Sequence, residues 1–173
     1  MTLGKRGGTE VAALWPLAAL GGIVLLFLLL PPARIRSLLL FGYAGGFLLA
    51  MVENYTLVHL LKLWEFHHLF LAVGGVPVAL LVFWWVITIF FGHFLLRVRT
   101  RETRLNRFLL ITIFAAAAAV LSQVLIWTGY QTVRAGWTAV HTFFQGLLSH
   151  VVLYGFFPAM VPPETAGAQT RAR

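Results

Sequence analysis

The chain has 173 residues, of which 60% are hydrophobic, 14% aromatic and only 10% charged, with a net charge of +8. So few charges cannot keep a soluble domain of this size dispersed, so the composition specifies an integral membrane protein, all-α and built as a single domain. The absence of cysteine excludes disulfides, thiolate ligands, iron–sulfur clusters and cysteine nucleophiles, and the basic residues sit in short loops rather than on an aromatic-interleaved patch, which argues for membrane orientation and against nucleic acid.

Taken in order, residues 1–10 are polar and Gly-rich, and Val11 to Leu30 forms an apolar run of the roughly 20 residues that a hydrocarbon core of about 30 Å demands. The run is long for a signal peptide, and PPARIR offers no small-residue cleavage site, so it reads as a retained helix that Pro31 and Pro32 stop. A second span is expected over 37–61, with Gly42 and Gly46 at the GxxxG spacing that lets a neighbouring helix approach closely. A third is expected over 72–96, its first turns loosened by Gly74, Gly75 and Pro77. The arginine-rich stretch RVRTRETRLNR then reads as a loop from Arg97 to Arg107. A fourth span over 108–127 includes the small-residue run Ala115 to Ala119, suited to close helix contact, and a fifth covers 138–161. Residues 162–173 read as a flexible polar tail. The expected architecture is a bundle of about five transmembrane helices.

Five spans put the termini on opposite sides. With the N-terminus outside, Arg34, Arg36, Arg97, Arg99, Arg101, Arg104, Arg107, Arg171 and Arg173 lie inside, against Lys5, Arg6, Lys62 and Arg134 outside. The excess of inner arginines favours N-out and C-in, in a bacterial inner membrane. Lys5 and Arg6, before the first span, point the other way.

Ionisable side chains inside hydrocarbon cost about 2.5–3.5 kcal/mol each on insertion scales, so they mark candidate sites. At a rise of about 1.5 Å per residue, Glu53, Asn54, Gln123, His141 and Gln145 fall at similar depth in the outer half of the expected bundle. That coincidence of residues far apart in sequence points to one shared site, with Glu65, His67 and His68 at its outer mouth and His93 at the opposite end. Read as structure instead, Glu53 is a helix-bonded carboxyl, the two glutamines are interhelical hydrogen-bond partners, and the tryptophans belong to interface belts or the core.

The six histidines are too scattered for a histidine-box di-iron enzyme, and no metal site is expected. A single histidine on a transmembrane helix is enough to hold haem or chlorophyll, which makes His59, His93, His141 and His150 eligible. His141 and His150, nine residues apart, are half a turn out of phase and would not face one cofactor. Serine-hydrolase, Rossmann and P-loop signatures are absent.

Glu53, the segment Trp64-Glu65-Phe66-His67, Gly75-Val76-Pro77 and then Trp84 together resemble the integral membrane family of carotenoid-biosynthesis proteins that includes carotenoid hydratases. The resemblance covers roughly a fifth of the chain. It implies water addition to, or proton-driven rearrangement of, a terminal double bond of a C40-type polyene. In such chemistry a general acid protonates the alkene, aromatic faces stabilise the tertiary cation, and a held water attacks. A carboxyl group surrounded by hydrocarbon keeps its proton, so Glu53 is the candidate acid. Gln123 or His141 would hold the water, and Tyr55, Trp64, Trp84, Trp85 and Gln145 would line the substrate. The rival reading is a small non-catalytic subunit of a photosynthetic or respiratory complex, binding pigment, haem or lipid between its helices through His59, His93 or His150. Expected partners are membrane lipid, a hydrophobic polyene or pigment and, for the rival, other membrane subunits.

Overall fold

The computed structural model describes residues 7–67, 71–100 and 104–161. Its first helix, α1 (Gly7–Leu29), ends where the proline pair begins. Pro31 is extended at φ −60° and ψ 142°, and Pro32 opens the next helix. Proline suits that position, since its fixed φ is helical and the missing amide hydrogen would have no partner in the first turn. The second helix, α2 (Pro32–Leu60), therefore starts five residues earlier than the sequence expectation of 37.

Two stretches of α2, Gly42–Leu49 and Thr56–Leu60, are wound as π-helix and flank the regular segment Ala50–Tyr55 that carries Glu53. Wider i→i+5 turns shift the faces that the helix presents, and they recur at functional sites.

Beyond α2 the chain forms three short strands, β1 (Trp64–Phe66), β2 (Ala72–Val73) and β3 (Val76–Pro77), before α3 (Val78–Thr100). The third span thus begins at Val78, not at 72. Gly74 and Gly75, at φ +54° and +71°, form the tight two-residue turn of a β2–β3 hairpin, which needs positive φ at both central positions. At the other end α3 continues to Thr100 and α4 (Arg104–Trp127) begins four residues later. Most of the expected Arg97–Arg107 loop is helix, because arginine and leucine are good helix formers whose charged heads reach past the apolar core. After α4 come β4 (Gln131–Val133) and α5 (Ala139–Met160). The expected 162–173 tail lies outside the described residues.

The result is an all-α bundle. Four helices, α2 to α5, are long and apolar enough to cross a membrane; the described apolar part of α1 is shorter, Trp15–Leu29. Both α1 and α2 pack against α3, and α4 packs against α5. Gly42 and Gly46 make the α2–α3 approach possible: a Cβ at Gly46 would stand 2.5 Å from the Trp84 carbonyl oxygen, and one at Gly42 2.6 Å from the Ile89 side chain. Small residues serve α4 and α5 in the same way, with buried Ala115 and Ala118 beside Gly146.

The two connections at one end of the bundle pair with each other. β1 and β4 run antiparallel, with Trp64 opposite Val133, Glu65 opposite Thr132 and Phe66 opposite Gln131. Trp64, Phe66 and Gln131 point inward and are buried, whereas Glu65 and Thr132 face out. This cap buries an aromatic cluster of Trp15, Trp64, Phe66 and Tyr130 beside Leu80 and Leu125. A second core, built on Leu38, Phe41, Ile89 and Phe91, lies toward the arginine-bearing helix ends.

Candidate functional site

A cavity lies beneath the cap, lined by α2, α3, α4, α5 and both cap strands. Its volume of about 60 Å³ compares with the roughly 10–15 Å³ that one water needs on the same measure. It has room for a few waters or the tip of a longer molecule.

Glu53 reaches this cavity from the regular segment of α2. Its carboxylate accepts hydrogen bonds from Gln145 Nε2 at 3.1 Å and from Ser149 Oγ at 2.6 Å. These residues lie on α5 one turn apart, so i,i+4 spacing aims both at one partner. Ser149 Oγ also stands 2.9 Å from the Gln145 carbonyl oxygen. A hydroxyl has one hydrogen, and its placement sets the proton on Glu53. With Glu53 ionised, Ser149 donates to Oε1. With Glu53 protonated, Oε1–H donates to Ser149 Oγ and Ser149 donates to the Gln145 carbonyl. Both arrangements use the same heavy-atom positions, so the acid can lose and regain its proton without rebuilding the site.

His150 lines the cavity one residue further along α5 and is 4% exposed. Its Nδ1 lies 2.7 Å from the Gly146 carbonyl oxygen, and its ring meets Phe91 and Phe114 at centroid separations of 5.0 and 5.8 Å. A carbonyl only accepts, so Nδ1 carries the hydrogen, and in the neutral ring Nε2 is left as an acceptor. Trp84 and Trp64 add indole surface to the cavity wall, and Asn54 donates to the Ala50 carbonyl at 2.7 Å.

Several polar atoms of cavity-lining residues have no hydrogen-bond partner among the described residues. They are Trp64 Nε1, Ser122 Oγ and both amide atoms of Gln131, all buried.

Comparisons with protein families, with characterised proteins and with solved structures returned no match. The site therefore stands on its own geometry.

Of the residues singled out from sequence, Glu53, Gln145, Trp64, Trp84 and His150 share this cavity, together with Asn54. Gln123 does not line it. The buried face of α4 carries Ala115, Ala118, Ala119, Ser122 and Leu125, which sends Ser122 inward and leaves Gln123 half-buried beside it. His141 is exposed and caps α5: its Nδ1 accepts from the Thr138 backbone N–H at 3.2 Å, and its ring lies over Trp137 at 5.4 Å. Neither residue lines the cavity that Glu53 faces, since depth along a helix says nothing of azimuth. Tyr55 is exposed and packs on the ring of His59 at 4.6 Å, away from the cavity. His59 is tied by Nε2 to the Gly74 carbonyl oxygen at 2.7 Å, bracing the β2–β3 turn. Trp85 packs near Gly42 and Gly46 in the α2–α3 contact. His93 is buried at the arginine end, its Nδ1 without a partner among the described residues and its ring edge-on to Phe94.

At the outer surface of the cap Glu65 is exposed, and His67 lies 3.0 Å from Thr132 Oγ1 and 3.9 Å from Glu65. His68 lies outside the described residues. Among the described residues no three His, Cys, Asp or Glu side chains gather as a metal would require.

Sequence reasoning missed Ser122, Gln131 and Ser149. Ser149 stands four residues after Gln145, a spacing that could have linked them. Gln131 follows the Gly129 turn in a strand too short for alternation to register in so apolar a chain.

Proposed function

We propose that this membrane protein acts on a hydrophobic polyene, adding water to a terminal double bond or shifting that bond, with Glu53 as general acid. The observation that carries the reading is a half-buried carboxyl, held by Gln145 and Ser149, that faces a cavity of a few waters' volume bounded by the indoles of Trp64 and Trp84. Protonation of a trisubstituted alkene leaves a tertiary cation, which an aromatic face stabilises best where water does not compete. The same carboxylate, once deprotonated, accepts a proton back and closes the cycle.

The cavity is far smaller than a C40 chain, so only the reacting end enters it. The remainder lies among the exposed leucines, valines and phenylalanines of the helix surfaces, where a polyene is as soluble as in lipid. The arginine excess supports an N-out orientation with the Arg97–Arg104 end in the cytoplasm, and in a bacterial inner membrane this reading has the cap and its cavity in the outer half.

The test is incubation of the protein in liposomes with an acyclic C40 polyene in D2O. Deuterium at the CH carbon of the terminal double bond, with or without a new tertiary alcohol on its neighbour, is the expected outcome. Polyene recovered without deuterium contradicts the reading, and a Soret band in the purified protein would assign it to the haem- or chlorophyll-binding subunits instead.

A further inference from the structure

Three elements each bring to the cavity wall a residue with a buried polar group that has no hydrogen-bond partner among the described residues. Trp64 Nε1 comes from β1, Ser122 Oγ from α4, and the Gln131 amide from β4. Gln131 is 1% exposed, Ser122 5% and Trp64 8%. Each buried donor or acceptor left unmet costs about 1–3 kcal/mol, so four such atoms around one space are a poor way merely to build a cap. They describe a guest.

Their hydrogen inventory narrows it. Trp64 can only donate, whereas Ser122 and the Gln131 amide both donate and accept. A carbonyl guest would leave the Gln131 oxygen unmet, and a carboxylate would also place a second negative charge beside Glu53. A water, which donates two hydrogens and accepts two, can meet all four atoms, and an alcohol hydroxyl, which donates one and accepts two, meets three of them. We infer that Gln131, Ser122 and Trp64 form a hydroxyl-binding subsite that holds first the attacking water and then the oxygen of the tertiary alcohol formed from it.

The inference deepens the reading of Glu53 as an acid and makes the subsite the element that decides the product. Glu53 gives its proton to the CH carbon of the terminal trisubstituted alkene; the π bond breaks, a C–H bond forms there and the tertiary cation appears at the dialkyl carbon beside it. If the subsite presents water, a C–O bond forms and the oxonium proton returns to the Glu53 carboxylate, for net addition of one water. If it does not, the cation loses a neighbouring C–H proton to the same carboxylate, and the net result is a shifted double bond.

The experiment compares wild type, Gln131→Met and Ser122→Ala on an acyclic C40 polyene in liposomes, reading the ratio of alcohol to shifted alkene. Each variant should lower that ratio about tenfold, the effect of losing one good hydrogen bond to the nucleophile. Replacing an orphan amide with a thioether of similar shape should also leave the melting temperature equal or higher, which separates the expected change from misfolding. An unchanged ratio in both folded variants overturns the subsite.

A binding arm needs no turnover. Quenching of tryptophan fluorescence by the C40 tertiary alcohol and by its parent hydrocarbon should show the alcohol bound about tenfold more tightly by wild type and equally by Gln131→Met. Equal binding of the two by wild type overturns the inference. Absence of deuteration with the alcohol preference intact would defeat the acid reading alone.

Discussion

At the scale of the residue, the site turns on the one hydrogen of Ser149. Glu53 lies on a helix long and apolar enough to cross a membrane, and a charged carboxylate in hydrocarbon costs about 2.5–3.5 kcal/mol. The Ser149 hydroxyl and the Gln145 amide soften that cost for the ionised form and still accommodate the protonated one. The same scale separates His141 from the chemistry. Its ring accepts from the Thr138 N–H while the Thr138 side chain caps the same turn from the other side. His141→Ala should therefore cost about 1 kcal/mol through loss of a cap, lowering the melting temperature by about 2–4 °C with turnover retained. Loss of turnover in a normally melting His141→Ala protein would return the residue to the catalytic set.

Among the elements, the α2–α3 contact places Glu53. Gly46 lies within one of the π-helical stretches and lines the cavity itself. A methyl group there would meet the backbone of Trp84 and Trp85 at 2.5 Å, whereas Gly155 has nothing within 4 Å. Gly46→Ala should destabilise by about 1–3 kcal/mol, as overpacking does, and Gly155→Ala should be neutral or slightly stabilising through helix propensity. Equal melting curves for the two variants would contradict the close contact. The GxxxG spacing made this contact readable from sequence, as the alanine run did for α4 and α5. The cap was not readable. WEF and QTV alternate in and out as strands do, but three residues are too few to show a period, and their pairing joins segments more than sixty positions apart. Azimuth was the other loss. Matching depths brought out Glu53 and Gln145, which do meet, yet the same argument included Gln123 and His141, whose side chains leave their helices in other directions.

For the whole molecule, composition already implied an all-α membrane bundle, and the four long apolar helices fit that architecture. Orientation rests on the distribution of arginines. Cysteines at Arg101 and Thr132 should be labelled from opposite sides, with Thr132→Cys reached from outside by an impermeant reagent; labelling of Arg101→Cys from outside would invert the arrangement. Glu53→Gln keeps the side-chain shape and can still bond to Ser149 and Gln145, but has no proton to transfer. In liposomes with an acyclic C40 polyene, turnover by Glu53→Gln should fall by about two to four orders of magnitude, the usual contribution of a general acid, with the melting temperature held and partial recovery in Glu53→Asp. A folded Glu53→Gln protein that turns over at the wild-type rate would contradict the account.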